Sequence, residues 1–208
     1  MTRCLDIHTH HAAPQPEGVI SVEFDQFNPI AGQLYSVGIH PWVSYRDFTS
    51  EAWEEFRKLA MHPQVVAIGE CGIDKLKGGF LFNQLLIMKR QIEVSEELGK
   101  PLIIHDVKAH DVITGLRRDM EPRQKWAVHG FRYKPTVAKM LIDTGIYLSY
   151  GSEFNPESLK ITPREMILAE TDESPLSIEE IISKLSSVIG EDLTDQIAEN
   201  SARFLSLE

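Results

Sequence analysis

Val65-Val66-Ala67-Ile68-Gly69-Glu70, read with the segment Leu81 to Ile92 and with Pro101-Leu102-Ile103-Ile104-His105, decides the fold. The two outer runs are short and apolar, the pattern of strands buried on both faces. Between them Leu81, Leu85, Met88 and Ile92 recur at helical spacing on one face, and Gly99 followed by Pro101 stops the helix. Strand, helix and strand in that order make a crossover unit with parallel strands.

The same rhythm extends in both directions. Apolar runs recur at Cys4 to Ile7, Leu34 to Ile39, Trp126 to Val128, Ile146 to Tyr150 and Met166 to Ala169. Trp53, Phe56 and Leu59 repeat at helical spacing after Ser50, which reads as an N-cap. Val19 to Phe24 reads as another strand, but Pro14, Pro16 and Pro29 flank it and leave gaps too short for an ordinary crossover helix. The expectation is an α/β barrel of seven or eight mainly parallel strands, irregular or shortened at its second strand–helix unit. A chain of 208 residues suits one such domain over 1–208.

Composition narrows the function. With 21 Lys+Arg against 31 Asp+Glu the chain carries a net −10, so it lacks the broad basic surface that grips a long duplex. Cys4 and Cys71 are its two cysteines, read as thiols in a reducing cytoplasm, and alternation turns Cys71 away from Glu70 into the packing. No run reaches the ~20 apolar residues of a membrane helix, and Met1-Thr2-Arg3 leads quickly into polar His8-Thr9-His10-His11, unlike a signal peptide. No membrane association and no obligate protein partner are expected.

The chemistry sits at the C-terminal end of each strand. In order these residues are His8 and His10, His40, Glu70, His105, His129 and Asp172. Parallel strands of a barrel open their C-terminal ends onto one mouth, so these residues converge there. His8 and His10 flank Thr9, and on an extended strand both point to one side. Each residue alone has an ordinary reading, as a hydrogen-bonded histidine, a cap or an ion-pair partner. Gathered at one mouth, uncompensated carboxylates and imidazoles would cost several kcal/mol unless a cation sat among them. His11, His62 and His110 fit exposed or capping roles.

These segments resemble the TatD-type metal-dependent hydrolases, the TatD-related DNases. The likeness rests on Asp6-Ile7-His8-Thr9-His10, Val37-Gly38-Ile39-His40-Pro41, Ile68-Gly69-Glu70-Cys71-Gly72-Ile73-Asp74, Ile104-His105, His129-Gly130-Phe131 and Glu170-Thr171-Asp172-Glu173-Ser174-Pro175. Asn200-Ser201-Ala202-Arg203-Phe204 resembles the family's closing helix. The resemblance implies a TIM-barrel-like metallohydrolase that cleaves phosphodiester bonds with two divalent ions, Mg, Mn or Zn. It implies that His8, His10 and Asp172 hold one ion, that Glu70 bridges, and that His105 and His129 hold the other. Asp172 and Glu70 are then the catalytic pair, with Asp172 accepting the proton of the attacking water.

The same resemblance extends to further residues. His40 and Arg132 are expected to contact substrate phosphate, with Lys108 standing one step past Val107, where the family carries an arginine. His40 also has a structural reading. Asp74 reads as a carboxylate that shapes its loop or orients a ligand, the latter preferred. Trp42 either stacks a base or covers the rim. The expected activity is deoxyribonuclease action on DNA ends or another small phosphodiester. The alternative is a metal-dependent amide or lactone hydrolase acting on a small molecule, since such barrels host several hydrolytic chemistries.

Overall fold

A computed structural model describes residues 4–11 and 17–207. Eight strands close into a barrel in sequence order, every neighbouring pair parallel. They are β1 Asp6–Thr9, β2 Gly18–Glu23, β3 Leu34–Gly38, β4 Val65–Asp74, β5 Leu102–Val107, β6 Trp126–Val128, β7 Tyr147–Tyr150 and β8 Ile167–Ala169. Among the described residues seven α-helices pack around them: α1 Ser50–Ala60, α2 Leu81–Leu98, α3 His110–Met120, α4 Pro135–Ile142, α5 Pro156–Ile161, α6 Ile178–Ile189 and α7 Thr194–Leu205.

The irregularity falls where the prolines put it. From β2 to β3 the chain makes a single 3-10 turn, Phe24–Gln26, in place of a helix. Pro14 and Pro16, in the connection before β2, lie outside the described residues. Phe24 nevertheless fills the role of a missing helix face, packing edge-on to Phe56 of α1 with ring centroids 5.8 Å apart.

Two expectations need correction. The N-cap of α1 is Thr49, whose hydroxyl accepts from Ala52 N at 3.3 Å, and Ser50 is the first helical residue. In α2 the apolar stripe is rotated: Leu81 is exposed, and the buried face comprises Gln84, Ile87, Met88, Gln91, Ile92 and Ser95. Two glutamines belong to it because they bind backbone. Gln91 accepts from Ile39 N at 2.8 Å and donates to Ile39 O at 3.0 Å, while Gln84 accepts from Asp74 N at 2.8 Å and donates to Asp74 O at 2.9 Å. Helix α2 thereby fixes the backbone beside His40 and at Asp74, satisfying peptide groups that the ladder leaves free at the strand ends.

The barrel interior is apolar below and polar above. Ile7, Val19, Ala67, Ile103, Ala127 and Leu168, drawn from six strands, form one buried cluster with Phe204 of α7. Side chains from strands so far apart around the ring meet only inside it. Ile103, Ala127 and Leu168 each stand two residues before His105, His129 and Glu170, so alternation stacks the polar layer directly on this floor. Asn200 anchors α7, donating to Arg164 O at 2.6 Å and Ile167 O at 2.8 Å. Phe204→Ala should therefore cost about 3–5 kcal/mol by opening a cavity in the floor, measured as a shift of the urea midpoint with unchanged slope.

Candidate metal centre

Glu70 sits in the middle of β4, and the strand continues past it to Asp74. Its approach to β3 is possible because Gly38 has no side chain: a Cβ there would meet Glu70 O at 2.5 Å. Gly72 likewise passes His105 O, where a Cβ would stand 2.1 Å away, and its φ of +143° is one that other residues rarely adopt. These glycines let the centre of β4 lie deep in the mouth.

Five imidazoles surround the Glu70 carboxylate. His105 Nδ1, His129 Nε2 and His40 Nε2 stand 2.6, 2.8 and 2.9 Å from Oε1. His10 Nε2 and His8 Nε2 stand 3.3 and 3.5 Å from Oε2. Burial pushes the Glu70 pKa up, but His129 and the hydrogen bonds from His10, His105 and His129 outweigh it and hold the carboxyl well below its usual range. Burial opposes a charge on His129 too, yet Glu70 and Glu170 raise its pKa well above that of free histidine. His8 goes the other way, held neutral by full burial and by His129.

His8 gives the clearest sign of what the centre takes. Both its ring nitrogens are buried without a hydrogen-bond partner, a costly condition for a neutral imidazole. His8 Nε2 is also 3.7 Å and His10 Nε2 3.8 Å from Asp172 Oδ1, contacts too long for hydrogen bonds. His8, His10 and Asp172 can present donor atoms within 4.8 Å of one another, and so can His8, Glu70 and His129. Nitrogen and carboxylate donors around an orphaned imidazole fit a divalent cation such as Zn²⁺, Mn²⁺ or Mg²⁺.

His40 behaves differently. Its Nδ1 accepts from Trp42 N at 3.1 Å, which places the proton of the neutral ring on Nε2, the atom facing Glu70. No lone pair is left for a cation, although the ring stands in a third set of clustered donors with Glu70 and His105. It holds Glu70 rather than facing the open cavity, where a contact with substrate phosphate would require it.

Carboxylates behind the ring orient it. Asp74 Oδ2 lies 3.3 Å from His105 Nε2 and accepts from Trp42 Nε1 at 2.7 Å, while Oδ1 accepts from Leu76 N and Lys77 N at 2.8 and 3.0 Å. Asp74 thus both shapes its loop and orients His105. Glu170 does the same for His129, with Oε1 3.4 Å from Nδ1. Glu170 is not among the residues singled out from the sequence, although it stands two residues before Asp172, the same alternation that pairs His8 with His10. Asp6 is a second such residue. It accepts from His8 N and Thr171 N at 3.2 and 3.1 Å and contacts the Thr171 hydroxyl at 2.6 Å, pinning the segment that carries Asp172. Burial pushes its pKa up to about 7.

A cavity of about 490 Å³ opens above the ring, lined by Trp42, His105, His129, Arg132, Asp172 and Glu173 among others. Arg132 therefore stands where a phosphate could reach it. Lys108 does not: its backbone turns at φ +54° to enter α3, and the exposed side chain lies outside the cavity wall. His11, His62 and His110 have ordinary partners, Ser174 O at 2.9 Å, the Phe27 ring at 5.3 Å and Asp106 Oδ2 at 2.7 Å. Cys71 is buried, its thiol donating to Ile103 O at 3.5 Å.

Known proteins share this architecture and sequence pattern. The family model described as TatD related DNase matches residues 30–206. An uncharacterized metal-dependent hydrolase, YabD, of Bacillus subtilis is 31% identical over 146 residues, 66% of this chain and 57% of that protein. A protein named 3'-5' ssDNA/RNA exonuclease TatD, from Erwinia tasmaniensis, is 27% identical over 66% of this chain and 56% of its own length. The chain spans a little over half the length of these curated relatives. The crystal structure of YJJV, a TatD homologue from Escherichia coli, superposes with a TM-score of 0.83 at 16% identity, covering 100% of this chain and 99% of that one.

The carboxylates behind the ring can be tested one at a time. Glu170→Gln should weaken metal binding about 10–100-fold by releasing His129, read by competition with a chromophoric chelator. Asp6→Asn tests the buried acid. The folded pKa of Asp6 lies above that of an unfolded aspartate, about 3.9, so the stability of its neutral form is complete below that value and lost as pH rises through about 7. In chelator, urea midpoints of the parent should fall relative to Asp6→Asn between pH 4 and 8.

Proposed function

Because this chain belongs to the TatD-related DNase family, we propose that it is a divalent-metal-dependent hydrolase of phosphodiester bonds, a deoxyribonuclease acting on DNA ends. The observation that carries this reading is the buried Glu70 carboxylate ringed by imidazoles, with both nitrogens of His8 bare. His8, His10 and Asp172 would hold one ion, Glu70 would bridge, and His105 and His129 would hold a second. Ions bound there supply an activated water at neutral pH and neutralise phosphate charge.

The chain's own residues do the rest. Asp172, half-buried and lining the cavity, accepts the proton of the attacking water. Asp74, Glu170 and Asp6 keep His105, His129 and the Asp172 segment in place, so the centre need not reorganise as charge develops. Arg132 reaches the phosphate from the wall once it leaves Glu153 Oε2, 3.5 Å away. The relative named as a single-strand exonuclease supports the choice of substrate. No helix among the described residues is long and apolar enough to cross a membrane.

The test is release of nucleotides from a single-stranded oligonucleotide by the metal-loaded protein. Hydrolysis is expected with Mg²⁺ or Mn²⁺, and should vanish with chelator and in Glu70→Ala. An inactive protein that demonstrably holds its metal would refute the phosphodiesterase reading and favour an amide or lactone substrate.

A further inference from the structure

Two loops beside the mouth expose an unusual amount of aromatic surface. The loop after β3 carries Trp42, Tyr45 and Arg46, and the loop after β4 carries Lys75, Leu76, Lys77 and Phe80. They run side by side: Gly79 N donates to Ser44 Oγ at 3.0 Å, and the Lys77 ammonium lies 3.4 Å from the centroid of the Trp42 ring. Phe80 is 85% exposed, Tyr45 69%, Leu76 65% and Trp42 43%.

Phe80 is costly where it stands. It occupies the N-cap of α2 and makes no side-chain cap hydrogen bond there, at a position where Ser, Asp or Asn would stabilise the helix by roughly 1 kcal/mol. A nearly bare phenyl ring at a capping position brings neither burial nor a cap, which points to a ligand. Charge identifies its class. Residues 41–46 and 75–80 contain three cationic and no acidic side chains, flanked by Asp47 and Asp74; Lys75 pairs with Asp111 Oδ1 at 2.8 Å, and the Lys77 ammonium lies over the Trp42 ring. Arg46 meets Asp25 Oδ2 at 3.2 Å, but the pair is exposed and water weakens it. The ledge is also continuous with the catalytic cavity, because Trp42 lines that cavity and packs against the rings of His40 and His105 at 4.7 and 5.8 Å.

We infer that the exposed rings of Tyr45 and Phe80, with Lys77 and Arg46 in the same two loops and the Lys77-capped Trp42 joining them to the cavity, form a platform that binds the single-stranded segment leading out of the mouth. Bases stack on the rings and phosphates pass the cations, the sequence-tolerant mode of single-strand binding. The inference rests on the phosphodiesterase reading for the polarity of the ledge, one end at the metal centre and the other in solvent.

The experiment is a fluorescence-anisotropy titration of the Mg²⁺-loaded protein with a labelled ten-nucleotide phosphorothioate oligothymidylate, which resists hydrolysis. Tyr45→Ala/Phe80→Ala should weaken binding roughly tenfold or more, while Tyr45→Phe/Phe80→Trp keeps it and a trinucleotide binds all forms alike. Both positions are exposed, so the variants should fold as the parent does. Equal binding by the alanine variant, no binding by the parent, or a parent dimer that this variant dissociates in sedimentation velocity would overturn the platform. Hydrolysis of an ordinary oligonucleotide separates the two ideas. Platform-dependent binding without hydrolysis removes the nuclease reading alone, and hydrolysis with platform-independent binding removes the platform alone.

Discussion

The structure turns on one buried carboxylate. Glu70 has five imidazole neighbours, from β1, from the loop after β3, from β5 and from the end of β6. A carboxylate removed from water is destabilising by several kcal/mol unless partners compensate, and here compensation draws on residues 60 positions before and 59 after it. The barrel brings those residues together, and Gly38 and Gly72 let β4 pass close enough to its neighbours to put Glu70 at their centre. His8, with both ring nitrogens unpaired, leaves the centre with a donor that a cation would use.

Much of this is legible in the sequence because six of the eight strands carry a short apolar run that leads into a residue able to bind a metal. Ile104-His105 and Val128-His129 announce themselves by that contrast alone. The parts that escape such a reading are polar residues with buried partners. Gln84 and Gln91 lie on the buried face of α2, where a search for apolar periodicity takes them as solvent-facing; their amides are buried because strand-end peptides need partners. Glu170 is masked by Asp172, the more familiar ligand type beside it. Lys108 departs from its expected place for a local reason, a left-handed residue that turns the side chain's position out of the cavity wall.

His40 shows why residue type underdetermines role. It shares the centre with His105 and His129, yet one backbone hydrogen bond from Trp42 decides its tautomer and turns it into a donor. The same 3-10 turn, Pro41–Val43, sets Trp42 over the rim. One turn therefore orients a partner of Glu70 and builds part of the mouth, linking the backbone after β3 to both chemistry and access.

The walls of the mouth are electrostatically unequal, and this governs approach. Asp106, Glu153, Asp172 and Glu173 line the cavity on the β5 to β8 side, with Arg132 the one Lys or Arg among its lining residues. The loops after β3 and β4 carry Arg46, Lys75 and Lys77, of which Arg46 meets Asp25 Oδ2 at 3.2 Å and Lys75 meets Asp111 Oδ1 at 2.8 Å. On the proposed function a polyanion would be disfavoured along the acidic wall, and at a net −10 long-range attraction would not override that local preference. Of the four acids on that wall Asp172 alone belongs to a candidate set of metal donors, so the inequality of the two walls is set largely by residues outside the metal centre.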